Sequence, residues 1–332
     1  MLFLMTLIIG TLMSISSYTL MGVWMGLEIN LLSMIPIMQK KMNLLSTESS
    51  IKYFITQAMA SSILIMAIIM MTMKTGLLST VEKSSYMMMN SALLTKMGMA
   101  PFHFWFPEVM EGLSWMNCTI MLTWQKLAPM VLVMYNMIFP TFMNMIIVVG
   151  LLISSIMSFN QISMRKLLTY SSINHMSWMM SSMMIMQSIW LYYFIIYVMI
   201  TVNMTMLLNK NNISSMPEMF LSMNNNNLTK LLFMMNFMNL SGLPPFLGFL
   251  PKWMTIQMLI NMNLIVLSTV MVITTTMMIF IYMKISMTSM ILNMDQINWN
   301  FTMNKKNNFN MAMMNFMVLT LLITTTIIFN II

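Results

Sequence analysis

The sequence predicts an all-α integral membrane protein. We read about eleven transmembrane helices, arranged as two inverted five-helix repeats that each hold a broken helix, plus one C-terminal helix. Three observations carry that reading. Of 332 residues, 59% are hydrophobic and only 7% charged, with a mean hydropathy of +0.82, whereas a soluble domain carries about 25% charged residues. Apolar runs of roughly 20 residues, long enough to cross the hydrocarbon core of a bilayer, recur along the whole chain. A proline-bracketed interruption also occurs twice, with the same internal spacing.

The spans fall in order at about 3–16, 18–38, 50–73, 86–108, 117–137, 142–160, 167–185, 187–208, 229–261, 263–287 and 311–331. The first begins "MLFLMTLIIG", without a basic region or an Arg-rich amphipathic stretch, so it reads as a span and not a cleaved signal. The second holds Gly22-x-x-x-Gly26, small residues that let helices approach closely, and then Glu28 in "WMGLEINLL". At the third, Ser46 and Thr47 precede Glu48 as an N-cap with an acid in the first turn. Glu48 and Lys52 then form an i,i+4 pair. The fourth contains "TKMGMAPFHFWFPEV" and reads as a broken helix. The fifth carries Lys126 and the seventh His175. The ninth is too long for one span and contains "SGLPPFLGFLPKW", a second broken helix. Asn-rich segments such as "NKNNISSMPEMFLSMNNNN" and "DQINWNFTMNKKNN" are solvated connections. The implied units are residues 1–140, residues 141–290, and a loop with the last helix at 291–332.

Charge tests the count. Even-numbered connections carry Lys40, Lys41, Lys52, Arg165, Lys166, Lys210, Lys230, Lys284, Lys305 and Lys306, and odd-numbered ones only Lys74 and Lys83. By the positive-inside rule the N-terminus shares the positive compartment and the C-terminus lies opposite.

Several chemistries are excluded. The single cysteine, Cys118, provides neither a disulfide framework nor an iron–sulfur ligand set. His103 and His175 are the two histidines, and no CxxCH accompanies them. No GxGxxG or Walker A stretch signals a nucleotide pocket. The 58 methionines, spread evenly, point to a genetic code that reads an isoleucine codon as methionine, as in animal mitochondria.

Of fifteen cations, twelve lie in connections, which leaves Lys96, Lys126 and Lys252 inside spans, with Glu28 as an acid mid-span. A charge at the bilayer centre costs about 2.5–3.5 kcal/mol on insertion scales, so such residues face one another or a hydrated cavity. Three lysines and one acid cannot neutralise one another. Lysine suits proton work in this setting, because burial disfavours its charged form and a nearby carboxylate such as Glu28 restores it. Pro101 lacks an N–H and frees a carbonyl near Met97, beside Lys96. Broken backbone at membrane depth is tolerated where it is buried in protein or lines water.

Pro101-Phe102-x-x-x-x-Pro107 aligns with Pro245-Phe246-x-x-x-x-Pro251, 144 residues on. Glu108 has Lys252 as its counterpart. The two copies lie five spans apart, in the fourth and the ninth, which gives them opposite topology, and paired broken helices in inverted repeats are a transporter signature. His103 and His175 either relay protons between half-channels or hydrogen-bond between helices.

"WMGLEINLLSMIP", "ESSIKYFITQA", "KMGMAPFHFWFPEV", "WQKLAPM" and "GLPPFLGFLPKW" together resemble the chain 2 family of NADH–ubiquinone oxidoreductase, an antiporter-like subunit of respiratory complex I in animal mitochondria. The likeness runs from about residue 22 to 260. It implies an eleven-span form of the fold and a subunit that carries protons across the inner membrane while quinone is reduced elsewhere. It implies Glu28, Lys96, Lys126 and Lys252 as the proton-translocating residues, a matrix N-terminus and an intermembrane-space C-terminus. It implies no cofactor in this chain, with FMN, iron–sulfur clusters and ubiquinone held at the level of the complex. Its implied partners are other membrane-arm subunits, neighbouring antiporter-like chains among them, and phospholipids such as cardiolipin, with no nucleic acid. Two rival readings are a stand-alone cation/proton antiporter of the same fold and a scaffold whose charges are static pairs.

Overall fold

The structure is a computed structural model that describes residues 1–39, 43–72, 79–223 and 227–291. The described residues are all-α, the one extended contact being an isolated antiparallel bridge between Ser163 and Ser215. In chain order the helices are α1 (Leu2–Ser16), α2 (Leu20–Met38), α3 (Leu44–Thr72), α4 (Ser79–Met97), α5 (Trp105–Gly112), α6 (Trp115–Leu122), α7 (Trp124–Tyr135), α8 (Pro140–Ser158), α9 (Met164–Met183), α10 (Gln187–Lys210), α11 (Met216–Met223), α12 (Asn227–Ser241), α13 (Phe249–Asn261) and α14 (Ile265–Ile291). Among the described residues, six stretches are long and apolar enough to cross a membrane: α2, α3, α6 with α7, α8, α10 and α14. The predicted span at 311–331 and Lys40, Lys41, Lys74, Lys305 and Lys306 lie outside the described residues.

The apolar helices and the polar ones occupy different places. α9 carries Ser171, Ser172, Asn174, His175, Ser177, Ser181 and Ser182, all buried, and every residue from Leu167 to Met183 is buried. Such a helix fails a hydropathy test because neighbouring helices surround it and lipid does not. α8 and α10 pack on it, as do α5, α6 and α13. α1 packs on α2 where Gly26 approaches so closely that a Cβ there would meet Ser14 N at 2.6 Å.

The adjacencies recur along the chain. α1 packs on α2 as α8 packs on α9; α3 touches α4 and α5 as α10 touches α12 and α13; α7 meets α1 and α4 as α14 meets α8 and α12.

The second, fourth, sixth and eighth connections meet at one end of the bundle. Lys52 Nζ bridges Glu48 and Glu108, each at 2.9 Å, and Lys166 Nζ pairs with Glu111 at 2.8 Å. Arg165 donates to the Glu111 carbonyl at 2.6 Å, and Trp115 Nε1 to the Ile213 carbonyl at 3.0 Å. Met216 N–H donates to the Ile162 carbonyl and Met164 N–H to that of Ser214, both at 3.0 Å. Here Glu218, in the first turn of α11, reaches back to the residues before the helix, accepting from Ser214 N–H at 2.8 Å and Ser215 N–H at 3.3 Å. The Ser214 N–H, with its hydroxyl at 2.7 Å, holds the Glu218 carboxyl below the usual carboxylate range.

Three local expectations change. α3 starts at Leu44, with the Asn43 carbonyl accepting from Ser46 N–H and Thr47 N–H, so Ser46 and Thr47 lie inside the first turn and do not cap it. Their hydroxyls instead return to the carbonyls of Asn43 and Leu44. Lys230, counted with the connections, is 8% exposed within α12. The fifth span is interrupted at Thr123, whose φ of −115° and ψ of −72° end α6 before α7 begins.

Candidate functional site

The two broken helices interrupt at 98–104 and 242–248. Both stops use a left-handed glycine: Gly98 at φ +72° and Gly242 at φ +77°. Each turn closes with the amide one position later reaching back across it, Met99 N–H to the Leu94 carbonyl at 3.1 Å and Leu243 N–H to that of Met238 at 3.4 Å. This corrects the expectation that Pro101 makes the break. Pro101 follows a helix already ended by Gly98, and the carbonyls near the stop find partners. Thr95 O accepts from Trp105 Nε1 at 3.1 Å, and Lys96 O from Gln57 Nε2 at 3.4 Å.

The three lysines predicted inside spans are all buried, at 8% exposure for Lys96, 2% for Lys126 and 5% for Lys252. Each sits beside an interruption. Lys96 occupies the last turn of α4, where carbonyl ends attract a cation. Lys126 lies two residues into α7, past the stop at Thr123, and its Nζ donates to the Tyr197 hydroxyl at 3.2 Å. The rings of Phe106 and Tyr197 each lie 5.3 Å from Lys126 Nζ. Lys252, near the start of α13, reaches back to the last carbonyl of α12, Ser241 O, at 2.7 Å, with the Trp178 ring 5.8 Å away.

Glu28 is half-buried on α2, and its charge acts on both Lys96 and Tyr53. Among the described residues the two make no direct ion pair, so they form an electrostatic couple across a gap. His175 is buried on α9, with Nδ1 at 3.0 Å from the Tyr193 hydroxyl. The charges of Lys126 and Lys252 both act on it. His175 therefore lies within electrostatic range of both lysines, without a direct contact to either. His103 stands apart: it is buried in the first break, Nδ1 lies 3.3 Å from the Pro101 carbonyl, and the rings of Phe104 and Tyr170 are its neighbours.

Sequence reasoning missed Tyr193, Tyr197, Gln57, Asn239 and Lys230. The tyrosines had a legible signal, an i,i+4 spacing on a helix next to the one that carries His175. Asn239 had none. Its Oδ1 accepts from Gly248 N–H at 2.8 Å across the break, a contact made only once α12 and α13 are both in place. Among the described residues no three His, Cys, Asp or Glu side chains converge as metal ligands.

Residues 17–278 match the protein family described as NADH:quinone oxidoreductase/Mrp antiporter, TM. NADH-ubiquinone oxidoreductase chain 2 of Anopheles gambiae is 47% identical over 94% of this chain and 90% of its own length. The chain of the same name from Locusta migratoria is 40% identical over 90% of this chain and 87% of its own. The chain belongs to the NADH-ubiquinone oxidoreductase chain 2 family. Its fold matches a chain of respiratory complex I from Thermus thermophilus with bound aureothin, at a TM-score of 0.82 and 18% identity, covering 96% of this chain and 77% of that one. The all-α antiporter-like membrane fold is thus shared well beyond the range of sequence likeness. Membership in this family also weighs against the stand-alone antiporter, since the relatives are named as chains of an oxidoreductase.

Proposed function

We propose that this chain is a mitochondrial inner-membrane subunit of the proton-pumping NADH:ubiquinone oxidoreductase, and that Glu28, Lys96, Lys126 and Lys252 carry protons through it. The observation that carries this reading is the placement of three buried lysines, each beside a helix interruption: Lys96 on α4 and Lys126 on α7, which pack on each other, and Lys252 on α13, which packs on the polar α9. Buried lysines without carboxylate contacts are costly in a bilayer and are placed where they exchange protons with water or one another. Asn174 Oδ1, Trp178 Nε1 and Asn239 Nδ2 are buried polar atoms without a protein partner, as befits a path that water enters. Quinone reduction elsewhere in the complex would shift the Glu28–Lys96 couple, Lys96 would pass charge towards Lys126, and Lys252 would exchange with the far side. His175, acted on by both Lys126 and Lys252, is the relay between halves, while His103 is a structural group of the first break.

We read residues 1–140 and 141–290 as two inverted repeats, with 291–332 as a matrix loop and final helix, eleven spans in all. The recurring adjacencies and the matched glycine stops support this. The N-terminus then lies in the matrix, with the basic end that holds Arg165 and Lys166, and the C-terminus in the intermembrane space. Neighbouring antiporter-like chains and cardiolipin are the partners expected. FMN and the iron–sulfur clusters belong to other subunits. Lys96→Ala and Glu28→Ala are expected to abolish proton pumping while the complex still assembles. A normal proton-to-electron ratio in either assembled variant would sink the reading.

A further inference from the structure

Tyr197 is a buried polar group to which the proposed proton path gives no role. On α10 and 2% exposed, it touches Lys126, the α6–α7 interruption and the His175 ring together. We propose that the Tyr197 hydroxyl positions Lys126 and couples it to the His175–Lys252 half of the path, using a backbone carbonyl that the interruption at Thr123 releases. This rests on the proton-carrying role given to Lys126 above.

In an unbroken helix the Leu122 carbonyl would accept from the N–H of Lys126. Here that N–H turns to the Thr123 carbonyl at 3.3 Å, and Leu122 O takes the Tyr197 O–H at 3.2 Å instead. With its proton so directed, the phenol presents lone-pair density to Lys126 Nζ, 3.2 Å away. A hydroxyl both donates and accepts. When Lys126 is charged, the ammonium donates to Tyr197 and Tyr197 donates to Leu122. When Lys126 is neutral, the O–H rotates and donates to the amine. The interruption thus supplies a second resting place for one hydroxyl proton, and Lys126 keeps a partner in either state.

The same ring connects onward. Its centroid is 5.3 Å from that of His175, and Tyr193, one turn earlier on the same face of α10, holds His175 Nδ1. One helix face therefore sets both groups: Tyr193 orients the histidine and Tyr197 the lysine.

The test is a substitution series in the assembled complex, in sealed inner-membrane vesicles: Tyr197→Phe, Tyr197→Leu, Tyr197→His and Tyr197→Gln, with Lys126→Gln alongside. Assembly, the KM for NADH and for quinone, and the proton-to-electron ratio are measured for each. Tyr197→Phe keeps the ring and is expected to assemble with both KM values unchanged, while proton-coupled turnover falls about tenfold, ~1.4 kcal/mol in barrier terms. His and Gln, which restore a donor and an acceptor, are expected to pump above Phe and Leu at equal assembly. Pumping that follows assembly alone across the series, whatever the polarity, overturns the inference. So does wild-type pumping by Tyr197→Phe when Lys126→Gln has lost it, and that outcome spares the role of Lys126. Normal pumping by Lys126→Gln overturns that role itself.

Discussion

The interruptions at 98–104 and 242–248 are the same backbone device put to different use. The first half-helices end at Met97 and Ser241, the glycines stand at 98 and 242, and the second half-helices begin at Trp105 and Phe249, every pair 144 residues apart. The lysines do not correspond. Lys96 precedes its break and Lys252 follows the other, while the counterpart of Lys252 is Glu108, 56% exposed and paired with Lys52. Yet both lysines belong to the carbonyl end of the first half-helix, Lys96 by its place in the last turn and Lys252 by reaching back to Ser241 O. What the two copies share is a freed helix C-terminus at which a buried cation can sit. The residue that supplies the cation is free to move from one half-helix to the other.

That difference predicts how each site fails. Lys252→Met is expected to abolish pumping and also to weaken the fold, because Ser241 O loses its donor in a buried place, a cost of about 1–3 kcal/mol. Lys96→Met is expected to abolish pumping with assembly near wild type, since Lys96 Nζ has no direct polar partner among the described residues to leave behind. Thermal inactivation of the assembled complex and its proton-to-electron ratio separate the two. Equal loss of stability would show that Lys96 is held as tightly as Lys252.

The stops give the next largest effect. Alanine in the left-handed region costs about 1–2 kcal/mol, so Gly98→Ala and Gly242→Ala should both lower thermal stability. A Cβ on Gly242 would also lie 2.9 Å from Lys252 Nζ, whereas one on Gly98 would meet the Phe106 side chain at 3.0 Å. Only Gly242→Ala is therefore expected to lower the proton-to-electron ratio as well. Asparagine, which tolerates this conformation, should be the milder replacement at both positions. If the two alanine variants lower the ratio alike, the contrast in what the glycines face does not matter to pumping.

The sequence showed the helices and the buried charges because both are local signals: apolar run length places a helix, and a lone charge within such a run is conspicuous. It placed Lys96, Lys126, Lys252 and Glu28 in helices, and the structure buries all three lysines. It aligned the breaks through Pro101 and Pro245 but passed over Gly98 and Gly242, at the same offset, which make the turns. What it could not show were contacts between distant segments. The α6–α7 interruption has its meaning only once Tyr197 lies against Leu122, 75 residues away. Lys230 was read as a loop cation because "NNNNLTKLL" is polar on one side, yet the chain there is already in α12 and packed. The Glu28–Lys96 couple was legible as a pair of opposite charges, but not its separation, which depends on how α2 and α4 are spaced.

The smallest expected effect bears on the position where the two copies differ most. Glu108 stands where the second copy has Lys252, and it bridges to Lys52, which also holds Glu48 at 2.9 Å. The cluster is exposed, and solvent-facing ion pairs are screened and add little to stability. Glu108→Gln should leave assembly and the proton-to-electron ratio unchanged, because Lys52 keeps Glu48 and nothing buried loses a partner. Glu108→Lys puts the residue of the second copy into the first and should still not create a working site. The added amine would face solvent beside Lys52, not a freed carbonyl inside the bundle. A fall in the ratio for Glu108→Gln, measured in vesicles with normal NADH oxidation, would mean that position 108 takes part in proton transfer as position 252 is proposed to do. The symmetry of the breaks would then extend from the backbone to the chemistry.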